Sequence, residues 1–118
     1  MPEFDFEKLS VYQKAVSFAD GIYRITQAFP KQEQFGMTSQ LRRAAVSISL
    51  NIAEGVGRDF HGERKRFYLI ARGSIYECVA LLTLAGNQEF LPAKTRMDLV
   101  ANCRELTKML NGLIRALR

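Results

Sequence analysis

The sequence predicts an all-α fold, one antiparallel up-and-down four-helix bundle spanning residues 1–118. Three observations predict it. Apolar residues recur at spacings of three and four in four segments of about 20–27 residues, which is the period of a helix and not of a strand. Proline and glycine punctuate the breaks between those segments, at Pro30, Gly36, Gly55, Gly57, Gly62 and Pro92. The chain holds 118 residues, 47% hydrophobic and 25% charged, which fits a single globular domain and excludes a disordered chain.

The first helix is expected from Ser10, where Ser10 and Gln13 have the spacing of a capping box, to just before Pro30. Its apolar residues, from Val11 and Tyr12 through Phe18 and Ile22 to Phe29, cover about half the helical circumference. That is wider than the stripe of about 100° usual for a surface helix. The second helix is expected over Met37–Val56, with Thr38 or Ser39 as its N-cap. The third runs from His61 to about Ala85, with a core face of Phe67, Tyr68, Ala71, Ile75, Cys78, Leu82 and Ala85. Pro92 is well placed to open the fourth, which continues to Arg118 with Leu99, Cys103, Leu106, Leu110, Leu113, Ile114 and Leu117 inward.

Chemical motifs are sparse. The lone histidine, His61, sits in a glycine-rich break and reads as a surface loop residue. The glycines of "GVGRDFHG" follow a helix, not a strand, and match no nucleotide-binding fingerprint. No metal-ligand spacing, no Glu-x-x-His pairs and no nucleophile–base–acid set can be assembled, so neither enzyme nor cofactor is expected. Cys78 and Cys103 fall on apolar faces as small buried hydrophobes. The opening "MPEFDFEK" is acidic and lacks an apolar run, and no window approaches the roughly 18 apolar residues of a membrane span. A cytoplasmic protein is the expectation.

Two features point outward from the bundle. The stretch "LRRAAVSISLNIAEG" carries no charge between Arg43 and Glu54, although a surface helix needs one polar face. Leu41, Ala44, Ala45, Ile48 and Ile52 serve the core, which leaves Val46 and Leu50 facing out, together with Val11, Phe18 and Ile25 of the first helix. Contiguous exposed apolar surface marks an interaction site, and self-association is the simplest cover. Arg43 and Glu54 share a helical side and are expected to pair in fixing that packing.

The other feature is charge. Lys and Arg number 17 against 12 Asp and Glu, a formal net charge of +5. Arg104, Lys108 and Arg115 fall within about 40° of one another on the fourth helix, beside Asn111 and with Arg118 just off the edge. Lys65 and Arg72 share a face of the third helix with Leu69 and Tyr76, and Arg66 crowds its start. Aligned cations with few acids to pair them suit phosphate, with affinity set by counterion release. No base-reading element is present, so weak sequence preference is expected.

Three stretches carry a family resemblance: "FEKLSVYQKA", "FPKQEQFGMTSQLRRAAVSISLNIAEG" and "FYLIARGSIYE". In that order they resemble the successive motifs of the four-helix bundle protein family that includes proteins encoded in intervening sequences of bacterial 23S ribosomal RNA genes. The resemblance covers nearly the whole chain. It departs at Tyr12, where the family often has Trp, and at Ser49-Leu50, where it has a Pro-Ser pair. Without that proline the second helix is expected to lack a kink. The resemblance implies a four-helix protomer. Through related retroelement accessory proteins it also implies a pentameric barrel whose positive surface binds nucleic acid and engages a reverse transcriptase. Arg42, Arg43, Asn51 and Glu54, which match the family's motifs, are expected to be structural.

The resulting expectation is a non-enzymatic, ring-like homo-oligomer, a pentamer, that binds RNA or DNA through Lys65, Arg66, Arg72, Arg104, Lys108, Arg115 and Arg118. Val11, Phe18, Ile25, Arg43, Val46, Leu50 and Glu54 are its expected oligomer contacts. The alternative is a protein-interaction scaffold that docks a partner such as a reverse transcriptase.

Overall fold

The computed structural model describes residues 4–117. Four α-helices carry the chain: α1 (Ser10–Thr26), α2 (Met37–Val56), α3 (His61–Asn87) and α4 (Ala93–Arg115), with short 3-10 turns at Asp5–Lys8 and Lys31–Glu33. Among the described residues there is no strand. Each helix packs on the next, and α1 closes on α4. Side-chain partners show that neighbours run antiparallel. Arg42, early in α2, reaches Tyr23 and Thr26 at the end of α1. Arg72, in the first half of α3, meets Asn111 near the end of α4.

The helix ends differ from the sequence reading for local reasons. Ser10 is the first helical residue of α1 and makes no capping bond; Leu9 holds the N-cap position. Gln13 instead turns back and donates from Nε2 to the carbonyl of Glu7 at 2.9 Å. α1 stops at Thr26, where the next amides bond three residues back and tighten the chain ahead of Pro30. The N-cap of α2 is Gly36, and Glu33 Oε1 accepts the amide of Met37 at 3.1 Å. α3 runs to Asn87 and closes in a Schellman turn: Phe90 N–H donates to Ala85 O and Glu89 N–H to Gly86 O, both at 3.0 Å. Glu89 occupies the left-handed position with φ of 60°, a site that favours glycine. Phe90 then packs on Phe29, ring centroids 5.5 Å apart, joining the two links at that end of the bundle.

The core is one cluster drawn from all four helices, with Ile22, Leu41, Ile48, Ile52, Ile75, Leu82, Leu106 and Leu110 all under 2% exposed. Burying a side chain of that size contributes about 1.5–3 kcal/mol. Ala15, Ala45, Ala71 and Ala85, all fully buried, let the helices approach closely. The closest approach is at Gly55: a Cβ there would lie 2.6 Å from Cε1 of Tyr68, so α2 and α3 can meet only over a glycine.

Two expectations are corrected here. Val11 and Phe18 are each 3% exposed and belong to the protomer's own core. The wide apolar arc of α1 is spent inside one bundle, on α2, on α4 and on the N-terminal turn, where Tyr12 meets Phe6 edge-on at 4.9 Å. The second correction concerns hydropathy: α3 is, by length and composition, apolar enough to cross a bilayer. Its core side is used by the bundle, and Arg72 and Glu77 interrupt its middle.

Candidate nucleic-acid interface

On α3, Lys65, Leu69, Arg72, Tyr76 and Val79 recur every three or four residues and form one strip toward α4. On α4, Arg104, Lys108, Asn111 and Arg115 do the same. The strips meet where Nη1 of Arg72 donates to Oδ1 of Asn111 at 2.9 Å. Arg72 is half-buried, so this bond holds its guanidinium at the seam while Arg104, Lys108 and Arg115 stay exposed.

Charge balance decides what this face can do. Glu105 is the acid among the α4 cations; Arg104, Lys108 and Arg115 line a shallow depression with it and Met109. Its carboxylate is engaged from the other side, by Nζ of Lys14 on α1 at 2.8 Å. Among the described residues no ion pair engages Arg104, Lys108, Arg115, Lys65 or Arg72. The strip is therefore a run of cations whose local acid is already neutralised. Such a run attracts an external anion with an affinity that falls as salt rises.

Above the Arg72–Asn111 contact the seam opens into a groove of about 460 Å³ lined by Ile75, Tyr76, Val79, Cys103, Arg104 and Thr107. Its floor is apolar. Thr107 turns its hydroxyl inward, donating to the carbonyl of Cys103 at 2.9 Å. Burial pushes the Cys103 thiol up to about 12, and burial with the neighbouring Cys103 raises Cys78 further. Both thiols are neutral at ordinary pH and poor nucleophiles.

The remaining site expectations divide. Arg66 stands about 100° round α3 from Lys65. There it and Arg58 flank the Phe67 ring at 5.3 and 4.6 Å, so it joins the α2–α3 corner and not the α4 seam. Arg118 lies outside the described residues. On α2, Leu50 is 58% exposed and Val46 half-buried, on the side away from the core as expected. Ile25 is half-buried against the core. Arg43 and Glu54 are exposed but do not pair within the protomer; Glu54 Oε2 accepts from Arg58 Nη2 at 2.7 Å. Three turns of helix separate Arg43 from Glu54, too far for direct contact along one helix.

Two motif residues are structural in a way the sequence did not specify. Arg42 donates from Nε to Thr26 Oγ1 at 2.8 Å and stacks over the Tyr23 ring at 4.6 Å, fastening α2 to α1. Asn51 donates from Nδ2 to the carbonyl of Ser47 at 2.8 Å, and the Ser47 hydroxyl lies 2.8 Å from that of Ser74 on α3. The neutralising role of Lys14 was missed because its partner is 91 residues away in the chain, and no local spacing signals it.

No curated protein matches the chain. Among solved structures the chain is similar to a protein of unknown function from the S23 ribosomal protein family of Bacteroides thetaiotaomicron, with a TM-score of 0.79 and 24% identity, over 88% of this chain and 97% of that one. At that identity the likeness supports the fold alone. The model of the 23S rRNA-intervening sequence protein family matches residues 7–112, nearly the whole of the bundle, and the chain belongs to that family.

Proposed function

We propose that this protein is a non-enzymatic, cytoplasmic homo-oligomer that binds RNA or DNA along the α3–α4 face, through backbone phosphates and with weak sequence preference. One observation carries the reading: Lys14 neutralises Glu105, which leaves Arg104, Lys108 and Arg115 aligned beside Arg72 without a counter-charge. Self-association through the outward side of α2, with Leu50 and Val46 central and Arg43 and Glu54 at its ends, would set several such faces side by side. The family resemblance favours a ring of five. Repetition of one weak face raises affinity by avidity.

The test is light-scattering mass with and without a structured RNA, at low and high salt. An oligomer whose RNA complex weakens steeply between about 50 and 200 mM salt supports the reading. Replacing Arg104 and Lys108 by Glu should abolish that complex and leave the oligomer intact. A monomer indifferent to RNA refutes it. A second reading, a scaffold that docks a partner such as a reverse transcriptase, draws on the exposed Leu50 and Phe35 of the α2 side. It predicts salt-insensitive binding to a protein and competition by Leu50→Asp.

A further inference from the structure

The apolar groove at the Arg104 end of the basic face is unexplained by phosphate binding, which needs only aligned cations. Ile75, Val79 and Cys103 give this shallow, open groove of about 460 Å³ a floor with little to offer an anion. Tyr76 stands at its rim with 55% of its surface open, four residues along α3 from Arg72. Arg104 lines this groove and also the cationic depression beside it, so apolar floor and phosphate-binding strip are continuous. Thr107 has its hydroxyl proton committed to a backbone carbonyl, so the groove presents no free directional donor from that side.

An aromatic ring and an apolar floor between cations match one part of a nucleic acid, the face of a base. In a duplex both faces of each base are covered by its neighbours, so only an unpaired nucleotide can present one. Base–aromatic stacking is indifferent to base identity, which agrees with the absence of a base-reading element. From this we infer that the α3–α4 groove is a single-strand site. It takes one unpaired nucleotide of RNA or DNA against Tyr76 while Arg72, Arg104 and Lys108 hold the flanking phosphates. The inference rests on the nucleic-acid reading above and names the strandedness that reading leaves open. A lone free nucleotide is a weaker occupant, because the cations of α4 continue about two helical turns beyond the groove, to Arg115, and match a run of phosphates.

The experiment measures fluorescence anisotropy of labelled oligouridylate of about 12 nucleotides, and of a duplex of equal length, at low salt. The proteins compared are the native chain, Tyr76→Ala, Tyr76→Phe and the Arg104→Glu/Lys108→Glu double variant. The single strand is expected to bind more tightly than the duplex. Tyr76→Ala should weaken single-strand binding by about 5- to 100-fold and leave duplex binding nearly unchanged, while Tyr76→Phe retains it. The double variant should lose both ligands. Because Tyr76 is exposed, its variants should keep the native circular dichroism and melting temperature.

If Tyr76→Ala binds the single strand as the native chain does, while the double variant loses it, the basic face stands and the stacking site is overturned. Equal affinity for duplex and single strand overturns it as well. If neither oligonucleotide binds the native chain, the nucleic-acid reading itself falls and the inference with it.

Discussion

Gly55 and Gly57 are two residues apart at the end of α2, yet adding one methyl group to each should move stability in opposite directions. At Gly55 a Cβ would stand 2.6 and 2.9 Å from two ring carbons of Tyr68 and 3.2 Å from Cβ of Phe67. Comfortable carbon–carbon contact begins near 3.5 Å, so the overlap is about 1 Å. Tyr68 is only 4% exposed and cannot swing into solvent, so α2 and α3 must separate along their seam. Overpacking costs about 1–3 kcal/mol, and an overlap of about 1 Å on a buried ring belongs in the upper half of that range, about 2–3 kcal/mol, offset by about 1 kcal/mol from replacing a helical glycine with alanine. The net for Gly55→Ala is a loss of about 1–2 kcal/mol, or a melting temperature lower by about 4–8 °C in a domain of this size. At Gly57 the nearest atom to a Cβ is Glu54 O at 3.6 Å, and φ of −78° with ψ of −3° suits any residue. Gly57→Ala should therefore stabilise by about 0.4–1 kcal/mol, because it restricts the unfolded chain. Thermal melts at two protein concentrations separate these effects from changes in association. A Gly55→Ala protein that melts at or above the native temperature would refute the close-approach account.

Three further outcomes follow from the same structure. Glu89→Gly relieves the left-handed backbone of the Schellman turn and should raise the urea midpoint, by up to about 1 kcal/mol in stability, whereas Glu89→Ala should not. Arg42→Lys keeps the charge but loses the planar contact to Tyr23 and the Nε bond to Thr26; it should cost about 1–2 kcal/mol by chemical unfolding, close to the cost of Arg42→Ala. The buried thiols set an alkaline limit. The folded pKa of Cys103 is raised to about 12 from an ordinary value of 9.0, so above pH 9 the unfolded chain loses that proton first. Stability contributed by the neutral thiol is fully present below pH 9 and falls as pH rises toward 12, by at most about 1.4 kcal/mol per pH unit. Urea midpoints across that range should decline, and Cys103→Ala should make the decline shallower, with buried Cys78 still contributing its own share, even though it lowers the starting stability.

Helix positions were legible because period, proline and glycine agree over long segments, and α2 matches the expected Met37–Val56 at both ends. Side-chain direction was less so. Periodicity measured the width of the apolar arc on α1 but not how many neighbours would cover it. Val11 and Phe18 were therefore expected outward when α2, α4 and the Asp5–Lys8 turn between them bury that arc. The end of α3 was misjudged because glutamate stands where the turn favours glycine, and no composition rule flags that position. In the basic face, the two strips could be read from spacing within each helix. Their meeting at Arg72 and Asn111, 39 residues apart, could not, because it depends on the register between α3 and α4.

The aromatic contact between Phe29 and Phe90 gives the bundle a mechanical polarity. It ties together the two links at one end, while α1 begins and α4 finishes side by side at the other. Tension applied at Ser10 and Arg115 therefore loads the α1–α4 seam as a zipper from its open end. The aromatic clasp takes the strain last. Under load such a molecule peels turn by turn instead of shearing at once.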